Sequence, residues 1–238
     1  MKVLAVETST LTGAVALLDG EAVVAECRVN VAVTHSERLL TTVDWLLSAA
    51  GWRLGDLAGL AVAIGPGSFT GLRIGLSTMK SLAFATGRPL AGIPTLDALA
   101  WTLPFAGLLV CPILDAKKGE VYTALYRTDD GRLERLWEYR ALAPEALAAE
   151  LRAQGAPPVV FLGDGVGPYA ATLDRALGRA ARFAPPSHRA PSALTVAELG
   201  RRALLAGEAA DPAALVPLYV RRSEAELARE RQRVGTPD

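Results

Sequence analysis

The sequence contains little cysteine, little histidine and no excess of charge of either sign. Its 238 residues include two cysteines, two histidines, 25 basic and 25 acidic residues. Cys27 and Cys111 are far apart in apolar surroundings, so we expect two buried thiols in a reducing compartment rather than a disulfide framework or metal cluster. The balanced charge does not favour direct binding of nucleic acid, because such binding normally needs a basic excess or a concentrated basic patch.

Long hydrophobic runs are also missing. The first apolar run ends at Glu7, which makes it too short for the core of a signal peptide, and no later run approaches the length of a membrane span. We therefore expect a cytoplasmic protein that does not enter a membrane. Because hydrophobic residues make up 51% of the chain, a folded protein with a sizeable core is expected.

Apolar periodicity predicts strands and helices in the first half of the chain. Three short runs before residue 30 predict a β-meander with the hairpin turn Asp19-Gly20. A helix follows, opened by the capping-box pattern Thr34-His35-Ser36-Glu37 and closed near Gly51. A strand at 57–64 then leads through a glycine-rich turn into a second helix at 72–86.

The second half repeats this order. Strands are predicted at 108–114, 121–127, 133–139 and 159–162, with helices from Pro144, from about Pro168 and at 195–205. Three strands followed by alternating helices and strands, twice over, is the plan of the duplicated α/β fold of the actin-like ATPases (ASKHA), whose lobes each have a βββαβα core. We expect an N-terminal lobe at 1–103, a C-terminal lobe at 104–221 and a charged tail at 222–238.

The glycine-rich turn is the most distinctive segment. Its candidate site residues are Gly65, Gly67, Ser68, Thr70 and Gly71. Backbone N–H groups in such a turn can cradle phosphate, but the segment lacks the Gly-Lys-Ser/Thr pattern of a Walker loop. We favour a packing role, in which glycine permits a tight turn and the spacing of Gly71 and Gly75 lets a neighbouring helix approach closely.

Several segments, taken in chain order, resemble those of a known family. They are Gly65-Pro66-Gly67-Ser68-Phe69-Thr70-Gly71-Leu72-Arg73-Ile74-Gly75, Val6-Glu7-Thr8-Ser9, His35-Ser36-Glu37, Asp115-Ala116 before Glu120-Val121-Tyr122, and Pro217-Leu218-Tyr219-Val220-Arg221. Together they resemble the TsaB (YeaZ-type) family over nearly the whole chain. The resemblance implies an actin-like fold and a subunit that pairs with its catalytic paralogue TsaD and with the ATPase TsaE. That complex transfers a threonylcarbamoyl group to N6 of the adenosine 3′ of certain tRNA anticodons.

The histidines indicate a non-catalytic member. TsaD relatives carry two metal-ligating histidines four residues apart, whereas here His35 is followed at that spacing by Leu39. A single imidazole is a weak metal site, and His188 has no acidic or cysteine partner nearby in the sequence. We expect no catalytic residue, no resident metal and no cofactor, and contact with tRNA only through the complex.

A degraded nucleotide cleft is a second expectation. In actin-like ATPases an aspartate in the first hairpin and another opening the second lobe hold metal and phosphates; here the first is Glu7 and the second is Asp115. Candidate residues of this vestigial cleft are Glu7, Thr8, Ser9, Asp115, Gly163 and Gly165. The alternative is an active nucleotide-dependent phosphotransferase or carbamoyl transferase of the same fold.

The two first-half helices are the candidate partner interface, because their apolar residues cover more than one face. Pairing them with the same helices of TsaD would form a heterodimer, and self-pairing would form a homodimer when TsaD is absent. The alternative is that all of these residues belong to the internal core. The candidate interface residues are His35, Leu39, Val43, Leu46, Leu47, Leu72, Leu76, Met79, Leu82 and Ala83.

Overall fold

A computed structural model of the protein describes residues 1–30 and 35–221, and the side chains of residues 35–37 are not among them. The first sheet has the strand order β3-β2-β1-β4-β5, with β1 antiparallel to β2 and parallel to β4. Its strands are β1 (Lys2–Glu7), β2 (Thr12–Asp19), β3 (Ala22–Asn30), β4 (Gly59–Gly65) and β5 (Leu90–Pro94). The predicted meander is therefore confirmed, with Asp19-Gly20 at the β2–β3 turn.

Helices cover both faces of this sheet. On one face lie α1 (His35–Ala49) and α2 (Phe69–Thr86), and on the other lies α6 (Ala193–Leu205). The start of α2 is three residues earlier than predicted, because Ser68 caps the helix by accepting a hydrogen bond from the Gly71 N–H. It ends as predicted at Gly87, which adopts the left-handed conformation.

The second sheet, like the first, combines parallel and antiparallel strands, and more of its strands are antiparallel. Its main order is β10-β7-β6-β11-β12, and β8 pairs with β6 and with β9. The strands are β6 (Leu109–Lys117), β7 (Glu120–Thr123), β8 (Tyr126–Asp129), β9 (Arg132–Arg135), β10 (Arg140–Leu142), β11 (Val159–Leu162) and β12 (Ala181–Phe183). The single strand predicted at 121–127 is wrong, since Ala124 and Leu125 separate β7 from β8. Both strands pair with β6, but β7 has β10 on its other side and β8 has β9.

Helices also cover this second sheet. A core cluster joins α4 (Pro144–Ala153) and α5 (Val166–Leu177) to β6 and β11, and another packs α3 (Thr95–Ala100) against β6 and β8. Cys111 is buried in β6, as predicted, but Cys27 in β3 is only partly buried. Within residues 1–30 and 35–221 there is no helix of the length and apolarity that a membrane crossing requires.

The segment at 210–221, which we call the C-terminal strap, runs from the first sheet to the second. Ala210 forms a β-bridge with Leu90, and the Leu218 N–H donates to the Ile64 carbonyl at 2.7 Å. Arg221 then forms an ion pair with Glu120 at 2.7 Å. The strap therefore ties the β6–β7 hairpin to the edge of the first sheet.

Candidate functional site

The glycine-rich turn packs directly against the turn between β1 and β2. The Ser68 N–H donates to the Ser9 carbonyl at 2.6 Å. A Cβ atom on Gly67 would lie 2.3 Å from that same carbonyl oxygen, so no larger residue fits there without a shift of backbone. This close approach accounts for the glycine at position 67 without a phosphate ligand.

Thr8 connects the same β1–β2 turn to α2. Its hydroxyl donates to the Gly71 carbonyl at 2.8 Å, and a Cβ on Gly75 would lie 2.2 Å from the Thr8 hydroxyl oxygen. The spacing of Gly71 and Gly75 in the sequence predicts that a neighbouring helix approaches closely there. The expectation of close approach is confirmed, but the element that approaches is this turn.

Glu7 is a fully buried carboxyl at the end of β1. Burial raises its pKa from 4.5 to about 7, although hydrogen bonds from Ser9 oppose the shift. Its Oε1 accepts the Ser9 N–H, while Oε2 has no hydrogen-bond partner among the described residues. Glu7 thus closes the β1–β2 turn and does not reach the surface, where it would meet a metal–phosphate ligand.

Asp115 and the Gly163-Asp164-Gly165 turn meet at the end of β6. The Asp115 N–H donates to Asp164 Oδ1 at 2.9 Å, and the Gly165 N–H donates to the Ile113 carbonyl at 3.0 Å. A Cβ on Gly163 would lie 2.3 Å from that carbonyl oxygen, so a larger side chain does not fit. The structure therefore brings these three candidate residues of the cleft together.

The Asp115 carboxylate is already occupied by a lysine. Lys117 Nζ lies 2.6 Å from its Oδ2, and the Lys117 N–H donates to its Oδ1. Burial acts to raise the pKa of Asp115, but these hydrogen bonds outweigh it and hold the pKa below its ordinary value. No hydrogen bond or ion pair in the described part of the chain links Asp115 to Glu7.

His188 belongs to no group of potential metal ligands among the described residues. The His188 Nδ1 atom lies 2.9 Å from the hydroxyl of the neighbouring Ser187. His35 begins α1, as predicted, but its side chain lies outside the described part of the chain. Within residues 1–30 and 38–221, no three His, Cys, Asp or Glu side chains are placed to share a metal ion.

Most of the predicted interface residues are internal. Their side chains form one core cluster with β1, β2 and β4, except Leu72, which is equally buried, and Leu82, which is partly buried against that cluster. Their predicted surface role is therefore wrong, because a side chain in the protein's own core cannot also contact a partner. The buried residues in question are Leu39, Val43, Leu46, Leu47, Leu72, Leu76, Met79 and Ala83.

The exposed apolar side chains of α1 and α2 are different ones. Leu40 is 56% exposed, Trp45 59% and Phe84 67%. The helical period contained part of the signal for this correction: Leu39, Val43, Leu46 and Leu47 form one stripe, Leu40 lies at its margin, and Trp45 lies on the other side of the helix. We call Leu40, Trp45 and Phe84 the exposed apolar set.

An aromatic cluster braces the start of α2 against the strap. The rings of Phe69 and Tyr219 stack with their centroids 5.4 Å apart, and the Arg73 guanidinium lies 3.9 Å from the Phe69 centroid. Arg73 Nε also donates to the Tyr219 hydroxyl at 3.3 Å. Arg73, which follows the glycine-rich turn in sequence, thus contacts aromatic side chains of the chain itself.

Comparison with known proteins decides the family. A family model described as "TsaD: tRNA N6-adenosine threonylcarbamoyltransferase" matches residues 29–229. The "tRNA threonylcarbamoyladenosine biosynthesis protein TsaB" of Bacillus subtilis is 34% identical over 227 residues, which are 95% of this chain and 96% of the relative. The chain belongs to the TsaB family. The TsaB protein of Escherichia coli is 33% identical over 69% of this chain and 72% of its own.

Solved structures place this TsaB-family chain in its fold. "YeaZ from Pseudomonas aeruginosa" superposes with a TM-score of 0.79 at 29% identity, covering 92% of this chain and 99% of that one. A ROK hexokinase from Thermus thermophilus superposes with a TM-score of 0.51 at 16% identity, covering 87% and 100% of the two chains. That second likeness shows the fold alone, and it confirms the predicted duplicated actin-like α/β fold.

Proposed function

We propose that this TsaB-family chain is a non-catalytic subunit in the synthesis of threonylcarbamoyladenosine in tRNA, and that it acts by binding a TsaD-type partner. The names of its relatives supply the pathway. The observation that carries the binding role is the exposed apolar set on α1 and α2. Large apolar side chains that are exposed to solvent on neighbouring helices are typical of an interaction surface.

The composition of this surface suits a protein partner. Tryptophan is among the residues most enriched at binding hot spots, and Phe84 supplies a second large aromatic side chain. The buried residues of α1 and α2 pack on the first sheet and fix both helices, so the exposed side chains are presented on a rigid support. The same surface serves self-pairing into a homodimer when the TsaD-type partner is absent.

The state of the nucleotide-cleft residues supports a non-catalytic role. Glu7 is buried in the β1–β2 turn, and Asp115 is neutralised by Lys117. A metal–phosphate site of the actin-like type would need both carboxylates free toward a shared ligand. Catalysis is therefore assigned to the TsaD-type partner, TsaE acts on the assembled pair, and tRNA is bound through the complex.

The test is co-expression with a TsaD-type protein and TsaE, followed by co-purification and a threonylcarbamoylation assay. We expect a Trp45→Glu/Phe84→Glu double variant to lose the TsaD-type partner and, with it, the transfer activity. Two charges buried without partners would cost several kcal/mol at such an interface. The unmodified chain alone should have no transfer activity.

A matched control is available in Phe105→Glu, because Phe105 is 73% exposed but lies outside α1 and α2. This variant should keep both the partner and the activity. Circular dichroism and thermal unfolding should show all three proteins equally folded. Retention of the partner by the folded double variant would refute the interface, and transfer by the chain alone would refute the non-catalytic role.

A further inference from the structure

A concave region of about 550 Å³ lies on the opposite side of the first sheet from α1 and α2. Its walls are α6, strand β3 with the β2–β3 turn, and the segment that follows α3. The volume is within the range of small-molecule sites, roughly 300–1,000 Å³. Three arginines, Arg28, Arg201 and Arg202, line it together with Trp101.

Two carboxylates in this cavity are already satisfied by donors of the wall. Glu26 Oε1 accepts the Ser192 hydroxyl and lies 3.3 Å from the Arg28 guanidinium. Glu198 Oε2 accepts the indole N–H of Trp101 at 2.7 Å. These acidic groups are therefore held by the fold and are not free to accept a cationic ligand.

The guanidinium of Arg201 is incompletely satisfied. Its Nε is buried and has no hydrogen-bond partner in the described residues, although an arginine side chain carries five N–H donors. Its ion pair with Glu21 is 3.7 Å long, and the Glu21 side chain is 93% exposed, so water screens that contact strongly. The Arg201 side chain itself is only 19% exposed.

Arg202, unlike Arg201, has no carboxylate partner in the described part of the chain. Its guanidinium lies 4.2 Å from the centroid of the Trp101 ring, a contact that leaves the N–H edge available. Arg201 and Arg202 are adjacent in α6 and both line the cavity. The groups of this cavity that lack hydrogen-bond acceptors are therefore the positively charged N–H donors of Arg201 and Arg202.

We propose that this cavity binds a small oxyanion, the phosphate or carboxylate group of a metabolite. The planar fork of arginine matches both groups through paired N–H···O bonds. Arg201 and Arg202 supply two guanidinium groups to the lining, and the Trp101–Glu198 hydrogen bond holds the indole of the wall in place. The site is separate from the glycine-rich turn and from the exposed apolar set, so the proposal does not depend on the proposed function.

The test uses the full chain with inorganic phosphate and citrate as separate probes at constant ionic strength. Binding is followed by ¹H–¹⁵N NMR on the indole N–H of Trp101, one of four tryptophans in the chain, assigned with Trp101→Phe. We expect saturable shifts of that resonance, weakened about tenfold in Arg201→Gln by loss of a charge-assisted bond. Arg202→Gln should weaken binding as well, and it keeps the test valid if Arg201→Gln does not fold.

The control is Arg132→Gln, which removes an exposed arginine of β9 and should bind like the unmodified chain. Tighter binding of phosphate would assign a phosphorylated ligand, and tighter binding of citrate a polycarboxylate. No saturable shift with either probe would overturn the proposal. So would a shift that all three arginine variants retain in full.

Discussion

Glu7 is the residue whose environment departs furthest from that of a surface carboxyl, and it sets a pH dependence of stability. The folded protein holds a proton at Glu7 that the unfolded chain releases between pH 4.5 and about 7. The contribution of Glu7 to the unfolding free energy should therefore be greatest below pH 4.5, fall as pH rises through this window, and level off above about 7. The fall attributable to Glu7 is about 3 kcal/mol.

Urea unfolding at pH 5, 6, 7 and 8 measures this effect. Glu7→Gln should remove the part of the fall that is due to Glu7, because the amide is neutral throughout, and should be more stable than the unmodified chain at pH 8. Glu208→Gln, which alters an exposed carboxyl, should preserve it. If the Glu7→Gln curve ran parallel to that of the unmodified chain, the burial-driven shift at Glu7 would be wrong.

At the scale of elements, the sequence predicted the bounds of helices and turns correctly where a specific terminal signal or a strong apolar periodicity was present. The capping box placed the start of α1, Gly87 placed the end of α2, and Asp19-Gly20 placed the β2–β3 hairpin. Strands β10 and β12 were missed because three residues are too short to show an alternation. Their pairing with distant strands is decided by tertiary contacts that no local pattern contains.

The buried faces of helices α1 and α2 also depend on tertiary contacts, so the sequence did not predict them. Sequence identified α1 and α2 as too apolar for a single buried stripe, but it could not say which residues the sheet would cover. Likewise, the glycines were expected to permit close packing, yet Thr8, whose hydroxyl bonds to Gly71, lies 63 residues away in sequence. Such contacts depend on how β1 and β4 pair, which the structure alone supplies.

Trp45 and Leu46 form a matched pair for testing the faces of α1. Leu46 is buried in the core cluster, whereas its neighbour Trp45 is exposed. Leu46→Asp should lower the unfolding free energy by about 3–5 kcal/mol, because it buries an unpaired charge and leaves a cavity. Trp45→Asp should lower it by about 1 kcal/mol or less. Equal losses in urea unfolding would contradict the assignment of buried and exposed faces.

Over the whole molecule, the chain crosses between the two sheets more than once. After the second sheet is complete, α6 returns to pack on the first sheet, where Gly200 lets the helix approach Ala61. The strap then runs along the first sheet and reaches the β6–β7 hairpin at Arg221. Because the last part of the sequence is required to cover the first sheet, the first hundred residues do not make a closed unit alone.

Two truncations isolate the final residues of the strap. A chain ending at Pro217 lacks the Leu218–Ile64 hydrogen bond, the Phe69–Tyr219 stack and the Arg221–Glu120 ion pair, whereas one ending at Arg221 keeps all three. These contacts are worth together about 2–3 kcal/mol, with the ion pair the smallest because both side chains are about one-third exposed. The shorter chain should be less stable by that amount in urea.

Hydrogen exchange should locate that loss. We expect faster exchange of backbone amides in the β6–β7 hairpin and at the start of α2 in the chain ending at Pro217, and unchanged exchange in α4 and α5. Arg221→Gln in the longer chain should affect the hairpin alone, since it removes only the contacts with Glu120 and the Ala116 carbonyl. Equal stability and exchange in the two truncated chains would show that the strap does not couple the sheets, and their coupling would then rest on α3 and α6.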